Sequence, residues 1–246
     1  MDYKDIDVNF DFRTDTPRGK DPDSDSPTMK EYHRLIYSKL LPDGKEFKLE
    51  SHDSSYYYLT WNDIRFGSDS IIASFRYKDY QWMHDKLRIR LPDYNKYIQD
   101  YRHKAYTVGG EIIFPKHNQS MNQNRGCNKK IRDRFDLTLE CIRLFYEGKS
   151  SPLSKTIESD KNFFSLFGNF ENYIKFFFLD DLCTSDYKNV ILWIDNNNFT
   201  QDPLPKTEDE YLDFINKELL FVNKRNNRIQ RFCLSKKNQS LRKGTL

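Results

Sequence analysis

The spacing of apolar residues changes once along this chain, and that change limits what it can fold into. Up to Pro115 the apolar residues fall mainly in short runs rich in aromatic and β-branched side chains, the pattern of strands. These runs are "IDVNFDF" (6–12), "EFKLE" (46–50) after a "PDG" turn, "SSYYYLTW" (54–61), "IRFGSDSIIASF" (64–75) and "AYTVGGEIIFP" (105–115). In the first, Ile6, Val8, Phe10 and Phe12 alternate with polar residues as a half-buried strand does. In the last, the glycine pair implies a bulge or a close approach by a ligand or by backbone. From Lys129 onward the spacing is helical. Ile131, Phe135, Leu139, Ile142 and Tyr146 share one face, with Gly148 just past the end, and residues 160–183 continue helically as the most apolar part of the chain. Strands segregated ahead of helices predict an α+β fold, with a strand-rich N-terminal half and a helical C-terminal half, rather than a doubly wound sheet.

Other segments fit that plan. "SPTMKEYHRLIYSKLL" predicts an early helix with Ser26 as N-cap, Pro27 in its first turn and Met29, Tyr32, Leu35 and Ile36 as its buried stripe. Residues 78–104 are helical or irregular, interrupted at Pro92. "HNQSMNQNRGCN" (117–128) predicts a polar loop, and "NVILWID" (189–195) a short buried strand or helix piece. A final helix starts at Thr207, with Glu210 closing a capping box. With no clear linker and no internal repeat, residues 1–232 form a single α+β domain, followed by a basic tail at 233–246.

Hydrophobic residues make up 37% of the chain and charged residues 31%, so the core must draw on the 19 Phe and 16 Tyr. That aromatic content argues against a disordered chain. No run of about 18 apolar residues exists, and the acidic N-terminus lacks an apolar signal region, so neither a membrane span nor secretion is expected. Cys127, Cys141, Cys183 and Cys233 form no CxxC pair, which excludes the usual zinc spacings and suits reduced thiols in the cytoplasm. No metal is selected by the sequence. The net charge of +3 conceals an asymmetry: residues 217–246 hold nine Lys or Arg and one Glu, a balance of +8, leaving −5 for the rest. A basic tail on an acidic body is an electrostatic footprint for nucleic acid, and equally the look of a solvated terminus.

Three groups of residues could carry chemistry. The loop after the first run holds Arg13, Asp15, Lys20, Asp21 and Asp23. Arg13 could grip a phosphate bidentately, or the loop could be a solvated surface tied down by Asx-turns. Arg132, Asp136, Glu140 and Arg143 recur at helical spacing, either as a ladder of ion pairs or as a stripe that brings Glu140 to the Arg13 loop to stabilise a developing cation. Asn122, Asn124, Arg125 and Gly126 precede the predicted helix start, where backbone donors and an arginine could hold an anion. Among scattered histidines, His33 stands out because its helix leaves the charged loop. No P-loop, GxGxxG, HExxH or Ser–His–Asp order is present.

"FRTDTPRGKDPDSDSPT", "GSDSI", "YTVGG-IIFP", "KIRDRFDLTLECIR" and "FFSLFGNFENYIKFFFLDDL" together resemble one bacterial family of uncharacterised proteins over roughly residues 8–200, which implies that the Arg13 loop and the Glu140 helix belong to one design. A second, shorter resemblance is to ADP-ribosyltransferase toxins of phage-defence toxin–antitoxin modules. Its order is Arg13 early, Ser68 and Ser70 in "GSDS", then Glu111 in "GGEIIFP" or Glu140. It implies NAD as substrate, Arg13 on the NAD phosphates, Ser68 or Ser70 along the nicotinamide pocket, and Glu111 or Glu140 stabilising the sugar cation. Asp15, Lys20, His33 and Arg125 would complete the pocket. The paired ExE or QxE and the "STS" of such enzymes are missing. The resemblance implies a macromolecular acceptor, nucleic acid for a chain with a basic tail, and an antitoxin partner. The other reading is a non-catalytic module that binds nucleic acid or a partner. A nuclease fits less well, since no carboxylate cluster with metal geometry can be named.

Overall fold

A computed structural model describes residues 2–51, 59–72, 77–195 and 198–243. His52, most of the 54–61 run, the end of the 64–75 run and residues 244–246 lie outside them. The strand expected at 6–12 is not formed. Acidic side chains there bond back to their own backbone. Asp2 caps a 3-10 turn at Tyr3–Asp5, Asp7 accepts from Asn9 N, and Asp11 accepts from Arg13 N ahead of a second 3-10 turn, Phe12–Thr14. Such local bonds compete with a strand ladder, while Val8 and Phe12 still reach the core.

The charged loop then leads into α1 (Pro22–Asp25) and α2 (Pro27–Tyr37). Ser26 caps α2 as expected, its Oγ accepting from Met29 N at 3.1 Å. The buried face of α2 is Met29, Tyr32, His33, Ile36 and Tyr37, with Leu35 only half-buried. β1 (Lys39–Leu40) and β2 (Glu46–Phe47) flank the Pro42–Gly44 turn, where Gly44 takes φ +84°. β3 (Glu50–Ser51), β4 (Leu59–Trp61) and β5 (Ile64–Ser70) follow, then α3 (Tyr77–Arg90), α4 (Tyr94–Ala105) and β6 (Glu111–Pro115). The sheet is antiparallel in the order β3-β4-β5-β6, with Ser70 paired to Glu111 and Ser68 to Ile113. The glycine pair serves an approach by the chain itself. Gly109 N donates to Asn226 Oδ1 at 2.6 Å, and a Cβ on Gly110 would lie 1.9 Å from the Ala105 carbonyl.

The remainder is helical: α5 (Met121–Cys127), α6 (Phe135–Tyr146), α7 (Ser154–Ser159), α8 (Lys161–Ser165), α9 (Phe170–Phe177) and α10 (Glu208–Lys243). α5 occupies the expected polar loop, because Met121 and Arg125 are both buried and give the segment an inner face. α6 starts at Phe135 rather than Lys129. Arg132 (φ +50°) and Asp133 (φ +68°) take left-handed conformations, which break any helix running in from Lys129. Gly168, at φ +73°, splits the apolar 160–183 stretch. Residues 189–195 form no named element: Val190 makes one isolated bridge to Cys183, and Trp193 is buried. At the head of α10, Thr207 accepts from Glu210 N, but the Glu210 carboxylate reaches Lys206 N, one residue before the box position. α10 runs through the 232/233 boundary, so the described part of the basic C-terminal stretch, residues 233–243, is helical.

The chain is therefore α+β, and among the described residues helix far outweighs strand. Its core is aromatic, as the composition requires. Phe163, Phe167, Tyr173 and Phe177 are 0–1% exposed and meet edge-on or tilted, with Tyr173 and Phe177 centroids 4.8 Å apart. All four cysteines are free thiols. Among the described residues no helix is long and apolar enough to cross a membrane.

Candidate functional site

Strand alternation puts Ser68, Ser70 and Glu111 on one face of the β5–β6 pair and Asp69 on the other. α1 packs onto β5 and delivers Asp23 to the Glu111 face. The charged loop is built for this. Asp21 caps α1 through Asp23 N, and Asp15 ties the loop to α2 by accepting from Ser26 Oγ (2.7 Å) and Thr28 N (2.9 Å). Asp15 and Asp23 thus turn inward, while Asp21 stays exposed at the cap of α1. On the opposite face Arg125, fully buried in α5, holds Asp69 at 2.7 Å and also donates to the Ser70 and Asp133 carbonyls.

Glu111 is wholly buried and receives one hydrogen bond, from Ser68 Oγ at 3.2 Å. No donor reaches Glu111 Oε1 or Asp23 Oδ1, although both atoms are buried. The two side chains are within hydrogen-bonding reach of each other, so a proton held on one carboxyl joins them. Burial, followed by the Asp23 charge, raises Glu111 well above the usual carboxylate range. Burial, then Asp69 and Asp21, pushes Asp23 up to about 7, while the bond from Glu111 and the Lys116 charge act the other way. Above about pH 7 the pair therefore holds one proton and one negative charge, and below it Asp23 takes a second proton. Tyr106 lies beside it, raised by burial and by Asp23 and Glu111, and the Arg13 guanidinium sits 5.1 Å from the Tyr106 ring centre.

This arrangement sets a pH dependence. Asp23 binds its proton more tightly folded than unfolded, so between pH 3.8 and about 7 the native state holds the extra proton and stability falls as pH rises through that window. Asp23→Asn removes the charge. The variant is expected to exceed the parent in stability by on the order of 2 kcal/mol at pH 8, with the gap closing towards pH 4. Urea titrations at both pH values measure this, and a gap that ignores pH would mean the pair holds no extra proton.

The structure brings together only some of the residues expected at a site. Glu111, Ser68 and Ser70 are joined, and Arg13 stands beside them through Tyr106, although its guanidinium is paired with Asp11. Asp15 serves the loop, and Lys20 is exposed. His33 is buried against Tyr37, and burial and the nearby Arg225 charge lower it to about 3, so it is a neutral core residue. Arg125 cannot serve as an anion site, since its bonds to Asp69 and two carbonyls occupy it. Glu140 forms a ladder with Arg143 (2.7 Å), which also holds Glu147. Asp136 leaves that stripe altogether, fully buried with Arg134 and accepting from Trp193 N. Arg132 lies outside α6. Tyr106 and Asp69 carry no sequence signal for the site beyond an acid between two serines in "GSDS". Among the described residues no group of three or more His, Cys, Asp or Glu is placed to hold a metal ion.

Fold and site together define an α+β protein with a buried, proton-sharing carboxyl pair under a charged loop. The chain belongs to a family of unknown function, DUF6994, whose model matches residues 6–229 and so takes in the loop, the pair and most of α10. No curated protein and no solved structure matches the chain.

Proposed function

We propose that this chain is an ADP-ribosyltransferase-like enzyme that breaks the nicotinamide–ribose bond of NAD and moves ADP-ribose to a nucleic-acid acceptor, with Glu111 rather than Glu140 as its acidic residue. The supporting observation is the buried Asp23–Glu111 pair beside Ser68, in which burial and mutual repulsion raise both carboxyls so that one proton is shared above about pH 7. As the C1′–N bond breaks, its electrons leave with nicotinamide and neutralise the pyridinium. The sugar becomes a cation, which the pair's negative charge stabilises at short range in a dry site. The acceptor's oxygen or nitrogen then bonds to C1′, and the proton it loses passes to the carboxylate of the pair. Arg13, next to the pair through Tyr106, would take the NAD phosphates on exchanging Asp11 for them. Glu111 is fully buried and α1 packs on β5 beside it, so entry of NAD requires α1 to move away from the sheet. A role as a toxin in phage defence, restrained by an antitoxin in the cytoplasm, rests on the sequence resemblance alone.

The test is incubation of the purified chain with labelled NAD and total cellular RNA, DNA and protein. Label on one class of macromolecule with stoichiometric nicotinamide supports the reading. A folded protein that gives neither rejects it. That result favours a non-catalytic nucleic-acid module, for which Arg231, Lys236 and Lys237 of α10 have no acid partner among the described residues. Lys224 and Arg228 already face Asp180 and Asp181. Binding by such a module would fall steeply with salt.

A further inference from the structure

On the side of α5 away from Glu111 lies a cleft of about 520 Å³, within the span of small-molecule sites. It opens between α5, the turn at 117–119 and α7. Asn122 and Arg125 of α5 face β5, whereas Asn124, Cys127 and the following Asn128 face the cleft. Its wall presents Lys155, His117 and the carboxamides of Asn118, Gln119, Asn124 and Asn128, and no carboxylate.

Asn124 Nδ2 is spent on the Gln119 carbonyl and Thr156 Oγ1, and Asn128 Nδ2 reaches the Pro152 carbonyl, so Lys155 and the carboxamides of Asn118 and Gln119 supply the donors that face a ligand. His117 sits between two acceptors, with Nδ1 2.6 Å from the Asn118 carbonyl and Nε2 2.8 Å from Asp160 Oδ1. These two contacts occupy both ring nitrogens, so His117 pins the Asn118–Gln119 turn to Asp160 and offers no further donor to a ligand. That leaves Lys155, which is exposed and has no ion pair among the described residues. Glu158, in the next turn of α7, is taken by Lys161 at 2.7 Å. Lys129 and Lys130 follow Asn128 directly and are likewise without an acid. Thr156 Oγ1 accepts from Asn124 Nδ2 at 2.8 Å, so its hydroxyl proton remains available for a ligand. A wall of amide and hydroxyl donors with excess positive charge recognises a polar anion.

We propose that the cleft lined by Lys155, His117 and the Asn118–Gln119 turn binds a small phosphate-bearing molecule. The proposal is independent of the NAD reading, since it involves another face of α5 and its test uses no NAD. Calorimetric titration of the full chain at low salt uses ribose 5-phosphate, inorganic phosphate and ribose. Both phosphates are expected to saturate one site, and ribose is not. Lys155→Met is expected to weaken phosphate binding about tenfold or more, the value of one charge-assisted hydrogen bond, and Lys155→Arg to restore it. Lys155 is exposed, so both variants are expected to melt at the parent's temperature. Equal binding of ribose, no saturation by either phosphate, or an unchanged affinity in Lys155→Met would each overturn the proposal.

Discussion

Glu111→Gln is expected to cut nicotinamide release by about 10²–10³-fold while the protein stays folded, because an amide pins the negative charge on Asp23 and denies it to the position beside Ser68 where the sugar cation forms. Burial already holds Glu111 in its protonated form, and glutamine is close to that form in shape and polarity. The amide can still accept from Ser68 and donate to Asp23, so no buried group loses its partner. It cannot share a proton with Asp23, and it cannot take one from the acceptor. Glu140→Gln serves as the counter-experiment. Glu140 belongs to a helix ion-pair ladder worth a few tenths of a kcal/mol, and its loss is expected to leave release near the parent's rate. Release measured with both variants, alongside their circular dichroism and melting curves, separates the two glutamates. If Glu140→Gln were the silent enzyme and Glu111→Gln the active one, the chemistry would belong on α6.

Arg225→Met is expected to destabilise the protein by about 3–5 kcal/mol, enough to unfold a marginal domain. The Arg225 side chain is fully buried in α10. Its guanidinium donates to the carbonyls of Phe177 (3.1 Å), Gly109 (2.8 Å), Glu111 (2.7 Å) and Val108 (3.3 Å), and to the Tyr37 hydroxyl (2.7 Å). One side chain thus satisfies α9, the glycine turn, β6 and α2. Methionine fills much of the volume and strands these acceptors away from water, each at about 1–3 kcal/mol before relaxation. A urea unfolding curve gives the loss directly. A midpoint shift worth under about 1 kcal/mol would show that water or a shifted side chain replaces the guanidinium.

The local features of this fold were legible in the sequence and the long-range ones were not. Ser26 and Pro27 announce α2, Gly148 ends α6, and Thr207 starts α10, because caps depend on a few neighbouring residues. The glycine pair announces a close approach, though not that Asn226 and Ala105 make it. The run at 6–12 reads as a strand because alternation records which side chains are apolar. It does not record that Asp2, Asp7 and Asp11 would each capture backbone donors. Asp136 has the spacing of a surface ladder, and only the left-handed pair Arg132–Asp133 turns it inward with Arg134. At the site, Glu111 and Ser68 could be named from their strands. Asp23 was one acid among several in a loop, and nothing in its spacing points to Glu111. That partnership is made by the tertiary fold.

The reach of α10 across the molecule has a consequence for biosynthesis. Val222, Arg225 and Asn226 are made more than a hundred residues after the glycine turn that they close, and further along the same helix Phe232 packs edge-on against Tyr3 at 5.9 Å. The nascent chain must therefore hold its N-terminal strands unfinished until α10 clears the ribosome. Through that interval the Glu111 backbone lacks the Arg225 clamp, and the carboxyl pair has no fixed geometry. A ribosome that stalls before Arg225 therefore leaves the carboxyl pair without the clamp that fixes β6.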